Sequence, residues 1–356
     1  GLGTSQGVDF STSVTGGAST RWALQASQPL YNPQRRAQQR QLNTAAEVAE
    51  RSWQVAGQQL AQRVAQAWFG LALARESLAV LDAQLRVEGV SFAQHLGGTR
   101  DRIEVGVSVG ITPTVADLVE QVAGYVADGY QRVKLKIMPG WDVNPLRAVR
   151  EAFPTLALQV DANAGYPADA LELLHSLDEF GLLMIEQPFA AEELALHATL
   201  AQRCATPVCL DESILSTTHA TMALDMGACS IVNIKVGRVG GVLEGRRIHD
   251  ACAARGVAVW CGGMLETGVG RAANVALASL TGFTFPADIS ASARYWQRDI
   301  TEPFVLHGST LAVPDGPGLG VSVNDDTLGA LGAERTTLRI DFHSIPVAST
   351  GARRTA

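Results

Sequence analysis

Lysine is almost missing from this chain. Of its 28 basic residues only Lys134, Lys136 and Lys235 are lysine, and all the others are arginine. Long apolar runs are missing too: no stretch of 18 or more apolar residues occurs, which excludes a membrane-spanning helix on sequence grounds. The longest uncharged, apolar-leaning stretch, Ala272 to Ala287, contains Gly282 and Pro286. Cysteine is scarce. Cys204, Cys209, Cys229, Cys252 and Cys261 are odd in number and show no CxxC spacing. They read as reduced thiols of small core residues, which implies a cytoplasmic protein. There is no excess of positive charge: the net charge is −7, which speaks against binding a phosphate backbone. None of the seven histidines sits at a strand end, so a histidine-based metal site is disfavoured; His175 and His249 read as helix-surface or core residues.

What is present is a large, mostly apolar chain. It has 356 residues, 47% of them hydrophobic and 18% charged, enough for two domains or for one large barrel with an appendage. The three lysines occupy apolar, strand-like segments, VKLKIM and IVNIKV. Arginine cannot lose its proton in a protein, whereas a buried lysine can. Where arginine serves nearly everywhere else, lysines in such places point to proton chemistry.

The chain changes character near Gly89. Residues 1–32 read as a loose, strand-like segment. Within it Thr20 to Leu30 alternates in part, with Trp22, Leu24 and Ala26 on one side. Asn32-Pro33 looks like a helix start. Residues 33–88 carry an apolar seam in steps of three and four, through Leu42, Trp53, Leu60, Leu71, Leu78 and Leu85, the spacing of a long heptad-patterned helix. After Gly97-Gly98 come eight strand-like runs: 103–109, 133–138, 156–162, 182–188, 207–213, 230–236, 257–263 and 283–289. Their unbroken apolar character is that of parallel strands buried on both faces. With helix-compatible segments between them they predict an α/β fold, a (β/α)8 barrel over residues 90–325, followed by a polar tail at 326–356.

Lys136, Asp161, Glu186, Asp211 and Lys235 fall at the ends of successive runs, separated by 25, 25, 25 and 24 residues. One step is one β/α unit, so the five share a level at the C-terminal rim, where barrel active sites are built. Three carboxylates in an apolar mouth need a counter-charge. No arginine occurs within the eight runs, so the expected partner is a hard divalent cation, Mg²⁺ before zinc or copper. A carboxylate substrate on that cation, flanked by lysines, suits removal of an α-proton and stabilisation of an enediolate. Lys134 lies two residues before Lys136 on the same face, and repulsion between them is expected to lower the pKa of Lys136 towards neutrality. The Gly-rich GRVGG (237–241) lacks GxGxxG spacing and reads as a tight turn.

The motifs VKLKI, VDAN, IEQP, CLDES, NIKVGRVGG and WCGGMLETGVGRAANVALASL, with ISASARYWQRDITEPF, resemble the enolase superfamily, in its o-succinylbenzoate synthase / N-acylamino acid racemase branch. The resemblance covers about Val90 to Asp325. It implies that Asp161, Glu186 and Asp211 ligate Mg²⁺ (or Mn²⁺). Lys136 and Lys235 would be the acid/base pair, with Lys134 tuning Lys136. Asn163 and Glu212 would support the metal's surroundings, and Ser108, Gly263 and Met264 would line the substrate pocket. The implied reactions are a dehydration in menaquinone biosynthesis, an amino acid racemisation, or both. A dipeptide epimerase and a muconate cycloisomerase-like enzyme are the alternatives. The implied partner is a small-molecule carboxylate, with no nucleic acid and no membrane for the barrel; a homo-oligomer is compatible. Residues 1–88 do not resemble the α+β lid that precedes such barrels. They are similar instead to part of a TolC-type outer-membrane efflux factor. With no initiator Met and no signal peptide, the expectation is a fusion, fragment or misassembled frame whose lidless barrel keeps its metal but turns over weakly or not at all.

Overall fold

The computed structural model describes residues 9–11, 23–25, 37, 41–42, 44 and 79–331. The chain divides into two compact units, Gly1–Phe69 and Gly70–Ala356. In the first, β1 (Asp9–Ser11) pairs antiparallel with β2 (Ala23–Gln25), within the stretch expected to hold a strand. Positions 37, 41, 42 and 44 are helical, and Leu42 is exposed. The remainder of the heptad seam up to residue 78, and the tail beyond 331, lie outside the described residues.

The second unit is the barrel. Seven parallel strands follow one another in chain order: β4 (Val107–Val109), β5 (Arg132–Lys136), β6 (Ala157–Asp161), β7 (Ile185–Glu186), β8 (Val208–Leu210), β9 (Ile231–Ile234) and β10 (Ala258–Cys261). Helices return the chain between them, and local chemistry sets where these begin. Thr114 starts the helix Val115–Ala127 by accepting from the Asp117 amide, while the Asp117 side chain accepts from the Thr114 amide, a reciprocal cap. Val107, Val109, Val133, Leu135, Leu158 and Val160 are all essentially inaccessible, and the polar residues that alternate with them on β5 and β6, Lys134 and Gln159, are buried as well, so the strands are covered on both faces.

The eighth run closes the ring by isolated bridges rather than a regular strand. Phe283 bridges Val259 of β10, and Ala287 bridges Val105. The Ala287 amide donates to the Glu104 carbonyl at 2.9 Å, and the Gly106 amide to the Ala287 carbonyl at 2.8 Å. Arg132, fully buried on β5, reinforces this closure. Its guanidinium donates to the carbonyls of Ala287 (2.7 Å), Pro286 (2.9 Å) and Val107 (3.4 Å). Gly106 has to be glycine, since a Cβ there would lie 2.2 Å from Arg132 Nε.

Two departures from the sequence reading have physical causes. The first run is two strands, not one: β3 (Arg102–Glu104) pairs antiparallel with β11 (Thr310–Ala312), and only β4 joins the barrel. The partner that splits the run comes some 200 residues later, beyond the reach of local patterning. And β5 does carry an arginine, because the strand begins one residue before its apolar run.

The helical stretch 79–88 packs within the barrel unit. Leu85 is 1% exposed. Asp82 accepts from the Leu319 amide at 2.6 Å and Arg86 donates to the Val321 carbonyl at 3.0 Å. The segment after the eighth run therefore has a partner in this helix. Leu85→Ala should lower the unfolding free energy by about 2–5 kcal/mol, measured by urea unfolding; a change below about 1 kcal/mol would show that this contact is incidental.

Candidate active site

Strand register puts the expected residues in one row. Lys136 is opposite Asp161, and Asp161 opposite Glu186. Asp211 directly follows β8, and Lys235 directly follows β9, where it precedes the helical turn Val236–Val239. Counting β4 as the first stave, the lysines sit on staves two and six and the acids on the three between. Asp161, Glu186 and Asp211 are inaccessible to solvent, Lys235 is buried, and the Lys136 side chain is 31% exposed. Asn163 and Gln187, just past β6 and β7, adopt left-handed backbone conformations (φ 43° and 41°), strain of the sort that collects at functional sites.

Each acid is paired. Lys136 Nζ lies 2.6 Å from Asp161 Oδ2 and also donates to Asn163. Asn163 in turn donates to Glu212 at 3.0 Å. Lys235 Nζ lies 2.7 Å from Asp211 Oδ2, and Arg238 binds the other oxygen of that carboxylate. Asn233 donates to Glu186 at 2.7 Å. The Gln187 side-chain carbonyl accepts from the Asp211 and Ser213 amides, which fixes the turn that carries Asp211.

Lys134 is caged rather than paired with Lys136 alone. Its ammonium is 2.9 Å from Asp288, 3.1 Å from Glu186 and 3.2 Å from Asp161. Burial would lower its pKa, but the three carboxylates outweigh burial and hold it well above the ordinary lysine value. Burial raises Glu186 to about 7 against the pull of Lys134, and Asp161 adds to the rise. Asp161 itself is held below the usual carboxylate range: burial raises it, but Lys134 and Lys136 prevail.

Two partners escaped sequence reasoning. Asp288 sits at the end of the eighth run, and its carboxylate accepts from Ser108 Oγ at 2.7 Å. Arg238 stands in GRVGG, which is a helical turn closed by Gly240 and Gly241 at positive φ (90° and 130°). The expectation that no arginine meets the acids is thereby corrected: Arg238 reaches Asp211 from beyond the strand. A polar residue at a strand end was the available signal for Asp288, but it breaks the 25-residue step, because stave seven ends in Gly262-Gly263. Of the expected pocket residues, Ser108 and Gly263 converge on Asp288. A Cβ on Gly263 would lie 2.2 Å from the Asp288 carbonyl oxygen. Met264 is exposed at the rim, its amide donating to Glu266.

The three acids do not draw their oxygens into one tight group, because each turns to its nearest cation. Among the described residues, the group that brings three ligand atoms within 4.8 Å of one another is His175, Asp178 and Cys204. Nor, among the described residues, is any helix long and apolar enough to cross a membrane.

The sequence profile of the family described as Enolase C-terminal domain-like matches residues 117–327. The chain belongs to the enolase superfamily. An N-succinylamino acid racemase from Amycolatopsis sp is 60% identical over 246 residues, 69% of this chain and 67% of that one. An o-succinylbenzoate synthase from Geobacillus stearothermophilus is 55% identical over 247 residues, 69% of this chain and 66% of that one. The chain thus spans about two thirds of the length of these relatives. The crystal structure of an enolase-superfamily member from Listeria innocua superposes with a TM-score of 0.69 at 44% identity, covering 71% of this chain and 68% of that one. Enolase-superfamily enzymes are typically Mg²⁺-dependent. The donor chemistry here fits such an ion: three buried carboxylates, with the Glu212 Oε2 atom buried beside them and lacking any hydrogen-bond partner.

Proposed function

We propose that this chain removes the α-proton of a small carboxylate substrate, acting as an o-succinylbenzoate synthase, an N-acylamino acid racemase, or both. The observation that carries the reading is the placement of Lys136 and Lys235 on staves two and six of an eight-stave barrel, with three carboxylates on the staves between. Amines on opposite sides of the mouth address opposite faces of a carbon held between them.

In this reading Asp161, Glu186 and Asp211 hold Mg²⁺ (or Mn²⁺), which supplies Lewis acidity to the substrate carboxylate. Lys136 takes the α-proton. In racemisation Lys235 returns one to the other face; in dehydration it remains an ammonium that steadies developing negative charge. Asn163, bonded to both Lys136 and Glu212, orients the base. Lys134, held by three carboxylates, is the fixed cation beside it. Ser108, Gly263 and Met264 border the substrate. The names of relatives 55–60% identical favour this reading over a dipeptide epimerase or a muconate cycloisomerase. Five free cysteines support a reducing, cytoplasmic setting.

Incubating the chain with an N-succinyl amino acid in D₂O and Mg²⁺ should give deuterium at Cα and loss of optical rotation. EDTA should abolish both, and added Mg²⁺ should restore them. Exchange that ignores the chelator would remove the metal from the mechanism. Mg²⁺ binding without exchange, and without o-succinylbenzoate formation in a parallel assay, would favour an inactive barrel.

A further inference from the structure

His175 lies in the last turn of the helix Leu171–Ser176, Asp178 belongs to the turn Leu177–Phe180, and Cys204 follows the helix Leu194–Arg203. These segments lead into β7 and β8, so the three residues lie at the entry ends of staves four and five. The acids of the mouth lie at the exit ends. One nitrogen, one oxygen and one sulfur come within 4.8 Å of one another, and His175 Nδ1 is 3.4 Å from Asp178 Oδ2.

The Asp178 carboxylate is held in place. Its Oδ1 accepts from the Thr206 amide and its Oδ2 from the Ala205 amide, both at 2.8 Å. Those bonds leave lone pairs on each oxygen. The His175 side chain is 49% exposed and that of Asp178 22%, so an ion can enter from solvent. Cys204 is the one partly exposed cysteine; the other four are buried.

The donor chemistry differs from that of the mouth. Oxygen-only sites suit Mg²⁺, whereas mixed imidazole, thiolate and carboxylate donors suit Zn²⁺ and its borderline neighbours. Tetrahedral zinc, with bonds of about 2.0–2.3 Å, sets its ligand atoms a little under about 4 Å apart, so small side-chain rotations would close this group around an ion. We propose that His175, Asp178 and Cys204 form a second metal site, which takes Zn²⁺ or Co²⁺ with water completing the shell. The ion would tie the turn entering stave four to the turn entering stave five, at the end of the barrel remote from the chemistry. Burial, with Asp178 adding to it, pushes the Cys204 thiol up to about 11, so the incoming ion has to displace that proton.

Titrating the full chain with Co²⁺ in excess Mg²⁺ tests this directly, because only a thiolate ligand gives sulfur-to-cobalt charge-transfer absorption. One equivalent should saturate the band. Cys204→Ser and Cys204→Ala should both abolish it, and His175→Ala should weaken Co²⁺ binding at least tenfold, with each variant's metal-free unfolding midpoint unchanged. No charge-transfer band in the parent chain, or a band that survives both Cys204 substitutions, would overturn the proposal.

Discussion

Lys136→Ala should slow deuterium incorporation at the substrate α-carbon by roughly 10²–10⁴-fold, the usual worth of a positioned general base. Lys235→Ala should remove racemisation by a similar factor while sparing one half-reaction. The enantiomer whose proton faces Lys136 should still exchange, without inverting. That split follows from two amines on opposite sides of the barrel mouth, and NMR on each pure enantiomer reads it. Lys136 is partly exposed, so its loss should leave the fold intact, as circular dichroism would show. Unchanged exchange in both variants would end the proposed mechanism.

Asp288→Ala should cost about 3–5 kcal/mol of unfolding free energy, because it strands buried cations. Lys134 loses a partner at 2.9 Å and Arg132 one at 3.6 Å, and Ser108 loses its acceptor. Asp288→Asn keeps the shape and an acceptor oxygen, and should cost less. A pH dependence goes with it. Burial would raise the Asp288 pKa, but Lys134 and Arg132 outweigh burial and hold it far below the usual carboxylate range. A depressed folded-state pKa contributes stability that is present above the unfolded value, about 3.9, and is lost as pH falls below it. The parent chain should therefore lose stability on acidification below about pH 4, and Asp288→Ala should lose less over that interval. Urea unfolding at pH 7 and pH 3 compares them. Equal acid sensitivity would mean that Asp288 is not the group responsible.

The row of five site residues was legible because a parallel barrel converts sequence period into spatial level. One β/α unit advances the chain by one stave, so the even step from Lys136 to Lys235 is a geometric statement. The rest depended on contacts that no local pattern encodes. Asp288 lies outside the step, since stave seven offers glycine at that level. Arg238 meets Asp211 from a helical turn within GRVGG, which reads from sequence as a tight turn and gives no sign that its arginine reaches back to a strand end. The crowding at Lys134 needed three staves and the closing segment at once; from two lysines on one face, only their mutual repulsion could be read. The split between β3 and β4 came from β11, far along the chain.

The closing line of the barrel holds a lesson of its own. Seven staves zip to their neighbours through backbone pairing, which most residue types can provide. The last junction has a single bridge at Ala287 with two backbone hydrogen bonds, and it adds a guanidinium that bonds carbonyls on both lips, with a glycine opposite to make room. Lysine, a compact charge without that planar fork, could not bridge the same three oxygens. Tolerance to substitution is thus unevenly shared around the ring: broad along seven joints, and narrow at one pair of positions, Arg132 and Gly106, where the ends of the sheet meet.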